Sequence, residues 1–258
     1  MNTKNVIKSI APKWAVSIYS FFRVTRFKVL RWVPRYDEDE LMTSHKCDFV
    51  HEERFRRCYK MAVQAKLAVS EKIRWRAHVA CWAAQHAASL GGDFVECGVN
   101  KGFLSKIVMD YIGFQGRVKK TFYLLDTFEG FVDEYLVNEE REKHKFQGSI
   151  YEPCYEIVKE TFGHMKNVKI IKGAVPDTLG QVTSKRISYL SIDMNCVQPE
   201  IAAAEYFWGK MTSGGVLLLD DYGHAGHELQ KEAFDEFAQK HEVPILSLPT
   251  GQGLILKP

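Results

Sequence analysis

The stretch that decides the fold lies between residues 93 and 102. It reads Asp93-Phe94-Val95-Glu96-Cys97-Gly98-Val99-Asn100-Lys101-Gly102. A short apolar strand ends here in an acid and runs into a glycine turn that opens a helix, which is typical of the ligand-binding corner of an α/β protein. Gly98 lets a ligand approach the backbone closely, and Gly102 lets the helix begin tight against the strand. This order predicts an α/β fold.

The glycine spacing indicates which kind of ligand this corner holds. The pattern is acid-x-Gly-x-x-x-Gly, whereas dinucleotide folds use Gly-x-Gly-x-x-Gly and place a pyrophosphate on the helix N-terminus. An acid such as Glu96 at the strand end repels phosphate and suits a cationic amino-acid group or a ribose. S-adenosylmethionine (SAM) carries both groups, so we expect SAM here rather than a nicotinamide dinucleotide.

Short apolar runs alternate with helical segments from Phe94 onward. The predicted strands are 93–97, 122–125, 168–171, 187–192, 216–219, 244–248 and 253–256, and the predicted helices between them are 102–113, 153–162, 199–211 and 226–241. This alternation predicts a seven-stranded, mainly parallel, Rossmann-like sheet with helices on both faces and an antiparallel last strand. Helical periodicity over 51–89, broken near Ser70, predicts two leading helices. Residues 131–150 form a charged insertion that could be a mobile lid.

Ligands of such sheets lie beyond the carboxyl ends of the strands. The candidate cofactor residues at these ends are Glu96, Gly98, Asn100, Gly102, Asp126, Thr127, Phe128, Gly173 and Ala174. We expect the Asp126 carboxylate to bind a ribose diol through two hydrogen bonds. Small side chains at Gly173 and Ala174 would leave room for an adenine ring. For each acid alone a role as a helix N-cap or in a solvated loop is the better explanation, but the ordered set favours SAM.

Three further carboxylates follow the next two strands. They are Asp193 after 187–192, and Asp220 and Asp221 after 216–219. Converging carboxylates are costly unless a cation neutralises them, and oxygen ligands suit Mg²⁺, with Ca²⁺ or Mn²⁺ as substitutes. Alternatively, Asp221 caps the following helix while Asp220 binds backbone amides. We expect all three to bind a divalent cation.

Two histidines follow this acidic pair, His224 and His227. Their i,i+3 spacing is consistent with lining an acceptor site or assisting proton transfer, and equally with a surface position at a helix start. His224 is therefore a candidate catalytic residue.

Four motifs resemble those of the macrocin O-methyltransferase family. They are Phe94–Val99, Asp126–Phe131, Leu190–Asp193 and Gly214–Gly223. The resemblance runs from about His45 to the C-terminus. It implies a class I, SAM-dependent and metal-dependent enzyme that methylates sugar hydroxyls of macrolides and other glycosides, and hence a saccharide or glycoside acceptor.

The resemblance also assigns roles to single residues. It implies that Glu96, Gly98 and Asp126 hold SAM, and that Asp193, Asp220 and Asp221 hold Mg²⁺, with Asp193 as general base. The chain departs from the family pattern at Asn195, where a second aspartate is usual, and at residues 100–102, where the family turn is more aromatic and richer in glycine. Residues 1–44 have no counterpart in the family.

Positive charge is concentrated at the N-terminus. Residues 1–36 contain eight Lys or Arg and no acid, and the rest of the chain has 27 basic and 32 acidic residues. Aromatic residues interleave these cations, which is typical of an amphipathic helix at an anionic membrane surface. The same pattern fits a helical arm packed on the body or on a second subunit of a homo-oligomer. The acidic remainder argues against nucleic acid as a partner.

These patterns divide the chain into a basic, aromatic-rich arm, 1–44, and an α/β domain, 45–258, with leading helices in 45–92 and the sheet core in 93–258. The longest charge-free run of the arm, Trp14–Phe22, is too short to span a membrane. Six scattered cysteines without a CxxC pair indicate neither zinc nor disulfides. We expect a cytoplasmic protein, with possible peripheral contact at the inner face of the membrane through residues 1–36.

Other functions remain open at this point. A catechol-type O-methyltransferase would use the same metal chemistry on an aromatic diol. A non-catalytic SAM-fold module docked through the basic arm would have no need for three converging acids. A nicotinamide dehydrogenase is disfavoured because the dinucleotide glycine pattern is missing.

Overall fold

The computed structural model describes residues 33–67, 70–147 and 151–258. The chain divides into two compact units between Cys47 and Asp48. The predicted helical arm falls mostly on residues 1–32, which lie outside the described residues, so its helix stays a prediction.

The described part of the first unit contains a β-hairpin. Strand β1 (Tyr36–Glu38) pairs antiparallel with β2 (Leu41–Thr43). The turn residues Asp39 and Glu40 adopt φ values of 53° and 60°. The sequence did not predict this hairpin, because the turn lacks the glycine or asparagine that usually marks one.

Two leading helices open the second unit, as predicted. They are α1 (Glu53–Gln64) and α2 (Arg74–Ala88), preceded by a 3₁₀ turn at Asp48–His51. The Glu52 carboxylate caps α1 by accepting hydrogen bonds from the backbone N–H groups of Arg54 and Phe55.

The second unit is built on a seven-stranded sheet. Its strands are β3 (Asp93–Cys97), β4 (Phe122–Asp126), β5 (Val168–Lys172), β6 (Ile187–Ile192), β7 (Met211–Leu219), β8 (Leu246–Ser247) and β9 (Gly253–Leu256). Their spatial order is β5-β4-β3-β6-β7-β9-β8, and β9 runs antiparallel to both neighbours. The predicted Rossmann-like sheet with an antiparallel last strand is confirmed. Because the order reverses beside β3, a cleft opens at the carboxyl ends of β3 and β6.

Helices cover both faces of this sheet. Those after β3 are α3 (Phe103–Ile112), α4 (Asn138–Gln147), α5 (Tyr155–Phe162), α6 (Val197–Trp208) and α7 (Glu228–Lys240), with 3₁₀ turns at Phe114–Gly116, Asp133–Tyr135 and Leu179–Gln181. Alternate strand residues divide between the faces, as the period of two requires. Phe94 packs with α1, α2 and α3, and Val95 packs with α6 and α7.

Helix α4 was not predicted. It lies in the charged insertion, and its sequence, NEEREKHKFQ, has too few apolar residues to show a helical stripe. No described helix is long and apolar enough to cross a bilayer.

Candidate active site

A cavity of about 330 Å³ lies at the carboxyl ends of the parallel strands. The predicted site residues that line it are Glu96, Gly98, Asn100, Asp126, Thr127, Phe128, Gly173, Ala174, Asp193, Asp220 and Asp221. Two predicted site residues, Gly102 and His224, are not among its lining residues. The fold therefore brings most of the predicted cofactor residues and the three aspartates around one cavity.

Glu96 is a buried carboxyl at the end of β3. Its Oε2 atom accepts a hydrogen bond of 2.7 Å from the Ser105 hydroxyl. Burial raises the pKa of Glu96 to about 8, and the charges of Asp126 and Asp220 act in the same direction, whereas the Ser105 bond lowers it. A cationic ligand group beside Glu96 would favour the ionised form, so the site is suited to an ammonium ion.

The two glycines of the opening motif have different roles. Gly98 has a φ of 88°, and a Cβ atom there would lie 1.7 Å from the backbone oxygen of Asp193. Gly102 has a φ of 81°, and its Cβ would lie 2.5 Å from the Phe162 ring on α5. Gly98 therefore allows the ends of β3 and β6 to lie in contact, whereas Gly102 allows α3 and α5 to pack together.

Asp126 organises the turn after β3. Its Oδ2 atom accepts hydrogen bonds from the backbone N–H groups of Val99 at 2.6 Å and Asn100 at 2.8 Å. Its Oδ1 atom accepts one from the N–H of Phe128 at 2.6 Å. The Thr127 hydroxyl, which has one hydrogen, is closer to the Gly130 carbonyl oxygen, at 2.5 Å, than to Asp126, at 3.3 Å.

Each carboxylate oxygen has two lone pairs, so these three bonds leave one acceptor position on Asp126. The expected pair of ribose hydrogen bonds is thus reduced to one. The carboxylate also holds the backbone around Asn100 and Phe128, which have positive φ values of 50° and 57°.

The Asp193 carboxylate belongs to an acidic cluster. Burial raises its pKa well above the usual range, and Asp220 and Asp221 raise it further because neighbouring negative charges disfavour a second ionised carboxylate. The Oδ1 atom accepts a hydrogen bond of 2.9 Å from Nδ2 of Asn195. An aspartate at 195 could not donate this bond when ionised, which gives a physical reason for the departure from the family pattern.

The other two aspartates have basic neighbours. Asp220 Oδ2 lies 2.6 Å from Nη1 of Arg76, and its Oδ1 accepts a hydrogen bond of 3.0 Å from Nε2 of Gln252. Asp221 Oδ2 lies 3.6 Å from Nδ1 of His227. Sequence reasoning missed Arg76 and Gln252, because no local signal links Arg76 to an acid 144 positions away.

The donor chemistry of this cluster fits a hard divalent cation, since half-buried Asp193 and buried Asp220 and Asp221 line one cavity. Their positions do not form a ready site: among the described residues, no three Asp, Glu, His or Cys side chains are arranged to hold a metal ion. Asp220 instead contacts Arg76 and Gln252.

His224 lies outside the cavity lining. Its ring packs against Gly251, where a Cβ would come within 2.6 Å of the imidazole. Its Nε2 atom is buried, and no group in the described part of the chain forms a hydrogen bond with it. The catalytic role of His224 stays a prediction, without support from its position.

Aromatic side chains from the charged insertion and from the residue that follows it form one wall of the cavity. They are Phe131, Tyr135 and Tyr151. The rings of Phe131 and Tyr151 meet edge to face, with centroids 5.1 Å apart. Burial and the nearby charge of Asp193 raise the pKa of Tyr151, so this residue stays neutral. The sequence analysis did not identify this wall.

Comparison with known proteins decides the family. Residues 36–247 match the family model described as Macrocin-O-methyltransferase (TylF). The chain belongs to the macrocin O-methyltransferase family. The family match begins at residue 36, earlier than the start near His45 expected from the motifs, and so includes the hairpin of β1 and β2.

One curated relative of the chain comes from Streptomyces olivaceus. It is named 8-demethyl-8-(2,3-dimethoxy-alpha-L-rhamnosyl)-tetracenomycin-C 4'-O-methyltransferase and is 25% identical over 143 residues. The match covers 53% of this chain and 55% of the relative, which is about half the length of each.

Solved structures share the fold. The O-methyltransferase NovP has a TM-score of 0.65 at 19% identity, over 74% of this chain and 82% of its own. The calicheamicin methyltransferase CalS11 has a TM-score of 0.54 at 14% identity, over 79% of this chain and 91% of its own. The SAH-bound methyltransferase PaMTH1 of Podospora anserina has a TM-score of 0.53 at 11% identity, over 93% and 96% of the two chains.

Proposed function

We propose that this protein is a SAM-dependent O-methyltransferase that methylates a hydroxyl group of a saccharide or glycoside with the help of Mg²⁺ or another divalent cation. The observation that carries the proposal is the single cavity shared by Glu96, Asp126 and the three aspartates 193, 220 and 221. Membership of the macrocin O-methyltransferase family supports the same reaction.

The cofactor half of the cavity positions the methyl donor. Ionised Glu96 accepts a hydrogen bond from the ammonium group of SAM, the last acceptor position of Asp126 binds a ribose hydroxyl, and Gly98 lets the cofactor approach the backbone. Gly173 and Ala174 leave space for the adenine ring. Methyl transfer is an in-line displacement, so holding donor and acceptor in line supplies most of the catalysis.

In the acceptor half of the cavity, a carboxylate removes the proton of the reacting hydroxyl group. As the bond between the acceptor oxygen and the methyl carbon forms, the carbon–sulfur bond breaks and its electron pair stays on sulfur, which leaves S-adenosylhomocysteine. Asp193 takes the hydroxyl proton. Asp193, Asp220 and Asp221 would hold the divalent cation, which when bound lowers the pKa of a hydroxyl group.

Two observations support a sugar as the methyl acceptor. They are the name of a relative and the aromatic side chains that line the cavity. The Streptomyces olivaceus relative is named for a rhamnosyl substrate. Aromatic faces such as those of Phe131 and Tyr151 pack well against the apolar side of a pyranose ring. The same aromatic wall suits a catechol ring, so catechol-type methylation is the second candidate.

The test is a methyl-transfer assay with SAM that offers monosaccharides, glycosides and catechols in parallel, with S-adenosylhomocysteine as the readout. We expect turnover of a saccharide or glycoside, loss of turnover in excess EDTA and recovery with Mg²⁺. Asp193→Ala should abolish turnover while calorimetry still shows SAM binding. Full activity in EDTA would contradict the metal proposal, preference for catechol would select the second candidate, and no heat with millimolar SAM would indicate a non-catalytic module.

Contact of residues 1–36 with a membrane stays a proposal that rests on their charge and aromatic content. Deleting these residues and measuring co-sedimentation with anionic vesicles tests it. Unchanged partition would exclude a membrane role of the arm.

A further inference from the structure

One of the three candidate metal ligands is already bound by a cation of the chain itself. Arg76 on α2 places Nη1 2.6 Å from Oδ2 of Asp220, and Gln252 donates a hydrogen bond to Oδ1. The side chains of Arg76 and Asp220 are only 18% and 5% exposed. Water therefore screens this ion pair less than it screens a pair at the surface.

A divalent cation held by Asp220 would share its carboxylate with Arg76. The two cations would then lie close together, and their charges repel each other strongly where water is scarce. Among the described residues, the three carboxylates line one cavity but are not arranged as a ready metal site.

We infer that Arg76 is an internal counter-cation that competes with the divalent cation for Asp220 and thereby weakens metal binding. The inference rests on the metal part of the proposed function. Before the metal binds, Arg76 neutralises part of the acidic cluster. Metal binding through Asp220 must break the pair, so the observed affinity is the difference between the two interactions.

The lining of the cavity contains a second cation that serves as a matched control. Lys101 lines the same cavity, but its Nζ pairs with Glu152 at 3.4 Å and not with Asp220. Arg76→Gln and Lys101→Gln each remove one positive charge from the cavity. Only the first frees a carboxylate of the cluster.

The experiment measures Mn²⁺ binding to the metal-free protein by the electron paramagnetic resonance signal of free Mn²⁺. We expect Arg76→Gln to tighten Mn²⁺ binding about tenfold, within the range of coupling between groups of one network. Lys101→Gln should change the affinity less than about twofold, because surface ion pairs are weak. In an Asp220→Asn background, Arg76→Gln should give no gain.

Arg76→Lys is a second variant that tests the inference if Arg76→Gln fails to fold. Lysine keeps the charge but loses the planar fork, so it should tighten Mn²⁺ binding by a smaller factor. A structure with Mn²⁺ bound should show Asp220 on the metal and Arg76 displaced from it.

Each contrary result has a separate meaning. Equal affinity of the wild type and Arg76→Gln, or equal gains for Arg76→Gln and Lys101→Gln, overturns the competition and leaves the metal proposal intact. A structure with bound Mn²⁺ in which Arg76 still contacts Asp220 would also overturn the competition. Failure of every form to bind Mn²⁺ overturns both the inference and the metal part of the proposed function.

Discussion

Gly98 packs directly on the backbone of Asp193. A Cβ at Gly98 would lie 1.7 Å from the Asp193 carbonyl oxygen, and the Asp193 N–H donates a hydrogen bond of 2.9 Å to the Cys97 carbonyl. The end of β3, which is proposed to bind the cofactor, and the end of β6, which is proposed to hold the base, are thus in contact. Their spacing depends on the absence of a side chain at 98.

Gly98→Ala tests this contact. The clash is with backbone, which cannot move aside as a side chain can, so we expect a loss of about 2–4 kcal/mol in the free energy of unfolding. Urea denaturation followed by circular dichroism measures it. Gly113→Ala is the control, because its φ is 62° and no atom lies within 4 Å of its Cβ; it should cost only about 1–2 kcal/mol of backbone strain. Equal losses would show that the contact with Asp193 is unimportant.

SAM affinity should depend on pH. The Glu96 carboxyl has a pKa of about 8 and must lose its proton before it can accept a hydrogen bond from an ammonium group. Below pH 8 each unit of pH should therefore raise the affinity by up to about tenfold. Above it the affinity should fall, because the α-amino group of SAM, with a pKa of about 8, then loses its own proton. Calorimetry between pH 6 and 9 measures this.

Glu96→Gln should bind SAM weakly and without this pH dependence. Glu152→Gln is the control, since Glu152 also lines the cavity but is 79% exposed; it should keep the wild-type profile. A wild-type affinity that does not change with pH would contradict the role of Glu96.

Asp126→Asn should destabilise the turn after β3. An amide group has one acceptor oxygen, so its NH₂ would face at least one of the backbone N–H groups that Asp126 now binds. We expect a loss of about 1–3 kcal/mol in urea unfolding. Glu129→Gln breaks only the exposed pair with Lys172 and should cost less than about 1 kcal/mol. A smaller loss for Asp126→Asn than for Glu129→Gln would refute this assignment.

Glu140 ties the charged insertion to α6. Its buried carboxylate accepts hydrogen bonds from the backbone N–H groups of Val137 at 3.1 Å and Val197 at 2.7 Å. Glu140→Ala should cost about 1–2 kcal/mol through the lost caps, and hydrogen exchange near Val137 and Val197 should speed up. Glu139→Ala, at an exposed neighbour, should leave exchange there unchanged. Identical protection in both variants would exclude this link.

Local patterns carried enough information for most of the fold. Strands β3, β6 and β9 have the predicted bounds, because each is a short, mostly apolar run bounded by polar or turn residues. Helix α4 was missed because it is almost entirely charged, and the hairpin of β1 and β2 because its turn residues are acidic. In both cases the usual local signal was absent.

The alternation of strands and helices along the chain was enough to predict the sheet. The polar residues at the strand ends were enough to predict the candidate cofactor corner and the three aspartates, because each is a local pattern. Only the tertiary structure showed that Arg76 and Gln252 hold Asp220, that Asp126 has one acceptor position left, and that Gly98 lies against Asp193. These contacts join segments far apart in the chain, and no periodicity or motif in a single sequence records such a distance.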